Sequence, residues 1–273
     1  MILFFLLILG ISIGSFLNVL IDRIPQGKSP FKGRSYCDKC KKTLKWYDLI
    51  PLISYLYLKG KCRYCRAHIS LYYPLVELVT GAMFIVTFAY IYHLPLTIDR
   101  FSIFNSQFSI FFYYLFILSS FIVIFFTDLK YGIIPDKILY PAAVISTIYN
   151  LSFTIYSPIV NHQSSIINNI FSGAGAFLFF LALYLVTKGK GMGFGDVKLA
   201  FLIGIVLGFP KILAALYLAF LTGAICGIIL IIWRKKKLKG GTIPFGPFLI
   251  IGTVLSLFFG EKILRLASLW LSF

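Results

Sequence analysis

Apolar runs close to the length needed to cross a bilayer recur along almost the whole chain, separated by polar breaks. They predict spans at 2–21, 71–92, 108–127, 138–156, 167–186, 197–207, 212–233 and 245–259. Hydrocarbon tolerates only structures that pair every backbone group internally, and runs of this length do so as helices. The pattern therefore predicts an all-α polytopic membrane protein with about eight transmembrane helices. Three regions follow: a first helix at 1–21, a polar loop at 22–70 large enough to be a small domain, and a multi-helix membrane body at 71–273. The sixth span departs from the rest. Its eleven residues rise ~1.5 Å each, well short of a hydrocarbon core of ~30 Å. The glycine-rich turn that opens it, "GMGFGD", is therefore expected to sit below headgroup level, in a protein-lined and partly wet cavity.

Composition agrees with this reading: 59% of residues are hydrophobic and 13% charged, which excludes a soluble domain. A formal net charge of +17 would suggest nucleic acid in a soluble protein, but here its placement says otherwise. Of the 26 Lys and Arg, 22 fall in alternate loops, at 22–70, 128–137, 188–198 and 234–239. The other side holds only Arg100, Lys211, Lys262 and Arg265. The positive-inside rule then puts the basic loops in the cytoplasm and both termini outside, in the cytoplasmic membrane. The excess is a topology signal that also attracts anionic lipid, and no nucleic acid partner is expected. Met1–Leu20 lacks a basic stretch ahead of its apolar run and is read as a retained helix.

Chemistry gathers in the cytoplasmic breaks. Cys37 and Cys40, then Cys62 and Cys65, form two CxxC pairs with 21 residues between them. Four thiolates so spaced can surround one zinc tetrahedrally, with no open position, so the metal would be structural. The small cytoplasmic zinc-binding domain would thus lie between the first two helices. Cys226 stands alone in a helix and reads as a small apolar residue. The three histidines, His68, His93 and His162, make no nucleophile triad. Asp128 closes the third span and Asp196 opens the sixth, at similar depth. Two such carboxylates can share a proton and activate water against a peptide carbonyl. Equally, both can be ordinary helix-end residues at the membrane surface. Asp136, after Pro135, reads as a helix entrance. Glu77 lies inside the second span, where a carboxylate is either functional or a hydrogen-bonded packing group. Two other readings stay open at this point. One is a proton-coupled transporter using Glu77, Asp128 and Asp196 as relays; the other is a membrane-anchored zinc ribbon without catalysis.

In their order along the chain, "GSFLNVLIDRIP", the paired CxxC, "YYPLVELVTGAMF", "TDLKYGIIPD", "GFGDVKLA" and "IPFGPFL" resemble the bacterial prepilin peptidases, the type IV leader peptidases of the GxGD aspartyl protease class. The resemblance covers nearly the whole chain; Phe194 stands where the usual motif has a further glycine. It implies that Asp128 and Asp196 are the catalytic pair, and that the substrates are prepilins or pseudopilins, as in type IV pilus, type II secretion and competence systems. Cleavage is implied at the cytoplasmic face, after a glycine that ends a basic leader. Members with the long Cys-bearing loop also N-methylate the new terminus from S-adenosylmethionine, so both activities are implied, with peptidase alone as the alternative. Glu77, in "YPLVEL", is the candidate for the methyl-transfer region.

Overall fold

The computed structural model describes residues 1–92, 100–156, 163–232 and 244–271. The basic run at 234–239, together with His93, Asp99 and His162, lies outside these residues. Among the described residues there are no strands, only helices and two isolated bridges in the polar loop. The long helices are α1 (Ile2–Arg23), α3 (Tyr72–Tyr92), α4 (Arg100–Tyr131), α5 (Asp136–Tyr156), α6 (Gln163–Val186), α7 (Phe194–Leu207), α8 (Lys211–Ile232) and α9 (Gly246–Leu271). The loop adds a single 3₁₀ turn, Trp46–Asp48, and the short α2 (Ile53–Tyr57). Eight helices thus stand where eight spans were expected. Six of them, α1, α3, α4, α6, α8 and α9, are long and apolar enough to cross a bilayer unaided. The chain is an integral membrane protein. The expected eight is approximate: α7 has only 14 residues, and α5 carries Asp136, Lys137, Asn150 and an internal Pro141.

Two compact units divide the chain, Met1–Val123 and Ile124–Phe273. In the first, α1 buries Leu6, Gly10, Gly14, Leu17, Asn18 and Ile21, one stripe at helical spacing. That stripe lies on α3 with almost no side chain between the backbones. A Cβ added at Gly10 would sit 2.8 Å from Gly81 Cα, and one at Gly14 would sit 2.7 Å from Glu77 Cα. Lipid tails are as apolar as leucine, so helices in a membrane gain mainly from such close backbone packing.

The second unit uses the same device. A Cβ at Gly204 on α7 would fall 2.5 Å from Gly173 Cα on α6. At Gly252 on α9 it would collide with the Ala215 carbonyl of α8. Buried α7 residues include Val197, Leu199, Ala200, Leu202 and Ile203, almost all the way round. A helix so enclosed needs no length to reach water, provided its end is satisfied. At its C-terminus Gly208 takes φ +67°, a conformation glycine adopts without cost. Side chains on α5 and α6 supply the missing donors: Asn150 Nδ2 donates to Ile205 O (3.2 Å) and Asn168 Nδ2 to Phe209 O (2.7 Å). The short apolar run is thus a helix that stops early and is finished by its neighbours.

Candidate active site and metal centre

In the polar loop the two CxxC segments fold as copies of one hairpin. Tyr36 bridges Thr43, and Lys61 bridges His68, at matching positions. The Cys37 amide bonds Lys42 O and the Cys62 amide bonds Ala67 O, again in register. The residue after each second cysteine, Lys41 and Arg66, has positive φ, 56° and 54°. This repeat was not seen in the sequence; its signal is the shared CxxC-Lys/Arg pattern. The four sulfurs lie within 4.8 Å of one another, and Cys37 and Cys65 approach to 3.8 Å. A zinc bound at ~2.3 Å per sulfur separates its ligands by about 3.8 Å, so the cluster fits a tetrahedral metal. The Cys40 amide draws the Cys37 thiol down to about 7 against the opposing effect of burial, with help from the Lys39 amide. Asp48 braces the loop from inside. It accepts from Arg63 Nε (2.6 Å), the Lys45 amide (3.2 Å) and Tyr64 OH (3.3 Å). Burial pushes its carboxyl up, but these bonds outweigh burial and hold it below the usual aspartate value. Cys226 is half-buried in α8, away from this cluster in the chain.

Glu77 turns out to have a specific partner. It is 7% exposed, and its Oε2 accepts the Leu52 amide at 2.8 Å. Leu52 sits at φ +57°, ψ −49°, with Ile53 N bonded to Pro51 O at 2.6 Å. That is a γ-turn in a sparsely populated region, held by an anchor from a membrane helix. Nearby, Asn18 Nδ2 donates to Tyr73 O (3.1 Å), and Tyr73 OH donates to Asp22 in the last turn of α1 (2.9 Å).

In the second unit Asp128 and Asp196 come to one neighbourhood. Both are almost fully buried, at 5% and 6% exposure. Helix α4 continues one turn past Asp128, to Tyr131, before Gly132 (φ +67°) reverses the chain. Ile134 of this turn packs on Gly195, where an added Cβ would lie 3.1 Å away, and on Gly246 at 3.4 Å. Gly246 in turn abuts Asp128; a Cβ there would stand 2.5 Å from Oδ2. Through this one isoleucine, Gly246 beside Asp128 and Gly195 beside Asp196 are brought together. Asp196 Oδ2 accepts the Gly193 amide at 3.1 Å, closing the first turn of α7. This is the helix-start geometry weighed in the sequence, but with the side chain buried. Asp136 does open α5, as its proline suggested, and it also grips Lys198 Nζ at 2.8 and 2.9 Å. That contact had no signal in sequence, since its partners lie 62 positions apart; Gly246 stood in the "IPFGPFL" motif, but its contact with Asp128 did not show there. Phe245 joins an aromatic group with Phe220 (5.2 Å), Phe180 (6.2 Å) and Phe248 (6.4 Å).

Comparison with known proteins agrees along the chain. Residues 8–91 match the bacterial peptidase A24 N-terminal domain, and residues 115–228 match the type IV leader peptidase family. A prepilin leader peptidase/N-methyltransferase of Bacillus subtilis is 32% identical, with 95% of each chain covered. Proteins of the same name from Aeromonas salmonicida and Pseudomonas aeruginosa are 31% and 28% identical. They cover 94% and 95% of this chain, and 90% and 91% of their own length is matched. No solved structure matches. With motifs, buried carboxylates and relatives in agreement over nearly its full length, the chain belongs to the type IV leader peptidase family.

Proposed function

We propose that the protein removes the leader peptide of type IV prepilins or pseudopilins, with Asp128 and Asp196 as the catalytic pair. The observation that carries this is the burial of two carboxylates, 68 positions apart in the chain, beside glycines (Gly246 against Asp128, Gly195 next to Asp196) that both pack on Ile134. In the mechanism one carboxyl of the pair holds a proton and the other is ionised. The ionised oxygen takes a proton from water as its oxygen attacks the scissile carbonyl. The protonated carboxyl then gives its proton to the leaving amine as the C–N bond breaks. No covalent enzyme intermediate is needed. A relay for protons would be expected nearer mid-span, whereas Asp128 lies in the last turn of α4 and Asp196 in the first of α7. The distribution of Lys and Arg supports a cytoplasmic site, external termini and contact with anionic lipid.

A second activity, N-methylation of the new terminus, is supported by the names of the relatives and by the Cys-bearing loop. Cys37, Cys40, Cys62 and Cys65 would hold a structural zinc that fixes the two hairpins. S-adenosylmethionine would supply the methyl group when bound. Glu77 would serve this half by fixing the Leu52 turn.

Purified protein incubated with a prepilin tests the reading. Asp128→Asn and Asp196→Asn should each lower the cleavage rate by roughly 10³-fold or more. Cleavage that persists in both variants would remove the pair from the reaction. Labelled methyl transfer to pre-cleaved pilin should persist in the same variants.

A further inference from the structure

Asp128 lies in the last turn of α4, ahead of the α4–α5 turn, and Asp136 opens α5 after it. Between them Gly132 reverses the chain, and its amide bonds back to Asp128 O at 2.8 Å. The turn touches the start of α7 at two places. Ile134 rests on Gly195, immediately before Asp196. Asp136 holds Lys198, two residues after Asp196, through both of its oxygens. Lys198 is steered into that position: its Nζ lies 5.5 Å from the Tyr140 ring centre and 5.4 Å from that of Phe194. The Lys198 side chain is 21% exposed and that of Asp136 50%. A partly solvated pair of this kind adds little to global stability. Its geometric effect is larger, because it closes a circuit: Asp128, the turn, Asp136, Lys198 and two residues of helix back to Asp196. Residues two apart on a helix point to different faces, so Lys198 grips α7 from a side other than the one bearing the Asp196 carboxyl.

We propose that Asp136 and Lys198 form a strap that sets the separation of Asp128 and Asp196. They are positioning residues for peptide hydrolysis and touch neither substrate nor reacting atoms. The inference rests on the assignment of Asp128 and Asp196 as the catalytic pair. Displacing a catalytic group by about 1 Å can cost ~10²-fold in rate. Loosening the strap should therefore lower kcat while leaving the binding of substrate unchanged.

The test measures kcat and KM for prepilin cleavage by the full-length protein in lipid. The variants are Asp136→Asn, Lys198→Met, their double, the charge swap Asp136→Lys with Lys198→Asp, and Asp196→Asn as the reference. Thermal unfolding of each is followed in parallel. Each single variant should lose about tenfold or more in kcat, with KM within about twofold and unfolding temperature little changed. The double should be no worse than the poorer single, since both break one contact, and the swap should recover part of the loss. Wild-type kcat in the singles overturns the strap, as do losses that multiply in the double or that simply track a fall in unfolding temperature. An inert Asp196→Asn beside fully active strap variants sinks the strap alone. A fully active Asp196→Asn sinks the catalytic assignment itself.

Discussion

The cysteine loop and the aspartate site are built on opposite plans. All four sulfurs come from 29 consecutive positions, and each hairpin closes within eight. The geometry is local, repeated and suited to an added ion. The carboxylates instead come from helices whose meeting depends on Ile134, Gly195 and Gly246 fitting without a spare methyl group. A local site is specified by spacing; a long-range one is specified by what is absent at its contact points. The first should fail when the metal leaves, the second when a single carbon is added.

The largest effect that separates them is metal removal. Chelation, or Cys62→Ser, should release the proposed zinc and unfold the hairpins, since structural zinc contributes of order 10 kcal/mol in small metal-dependent folds. Methyl transfer should vanish, while prepilin cleavage stays within a few-fold of wild type. Parallel loss of both activities would show that the two plans are not independent. Next comes Gly246→Ala. Its added Cβ would press on Asp128 Oδ2, so kcat for cleavage should fall by about 10²-fold. Zinc content, read by elemental analysis, should not change.

Glu77→Leu comes third. It strands the Leu52 amide, which should cost about 1–3 kcal/mol in loop stability, whereas Glu77→Gln keeps an acceptor oxygen. Methyl transfer that falls in the leucine variant and survives in the glutamine variant identifies a tether. Equal loss in both points to a need for the negative charge. The smallest effect concerns Asp48. Its lowered folded value means that its stabilisation is complete above the ordinary aspartate value of about 4 and disappears as pH falls through the folded one. The gap in loop unfolding between wild type and Asp48→Asn should be constant near neutrality and close in acid.

Features written in consecutive residues were legible in the sequence. The helices, the Cys spacing and the two aspartates at span ends could all be found that way. The sequence also marked α7 as too short. It could not show how that end is completed, because the asparagines responsible sit on α5 and α6, at Asn150 and Asn168. Glu77 was visible as a charge in an apolar run, but its partner is a backbone amide, and an amide leaves no mark on composition. The Asp136–Lys198 contact spans 62 positions and joins two residues that each had an adequate local explanation.

The glycine seams carry a mechanical consequence. Where backbones touch as closely as at Gly173 and Gly204, or at Gly252 and Ala215, neither helix can slide or bow without collision. Helices α6 and α7, and likewise α8 and α9, therefore behave as stiff planks. Gly208–Pro210 carries the chain from one plank to the other, ahead of Lys211, and Phe180 of α6 stacks on Phe220 of α8 across them. Along the backbone, any swing of one plank against the other falls on those three residues.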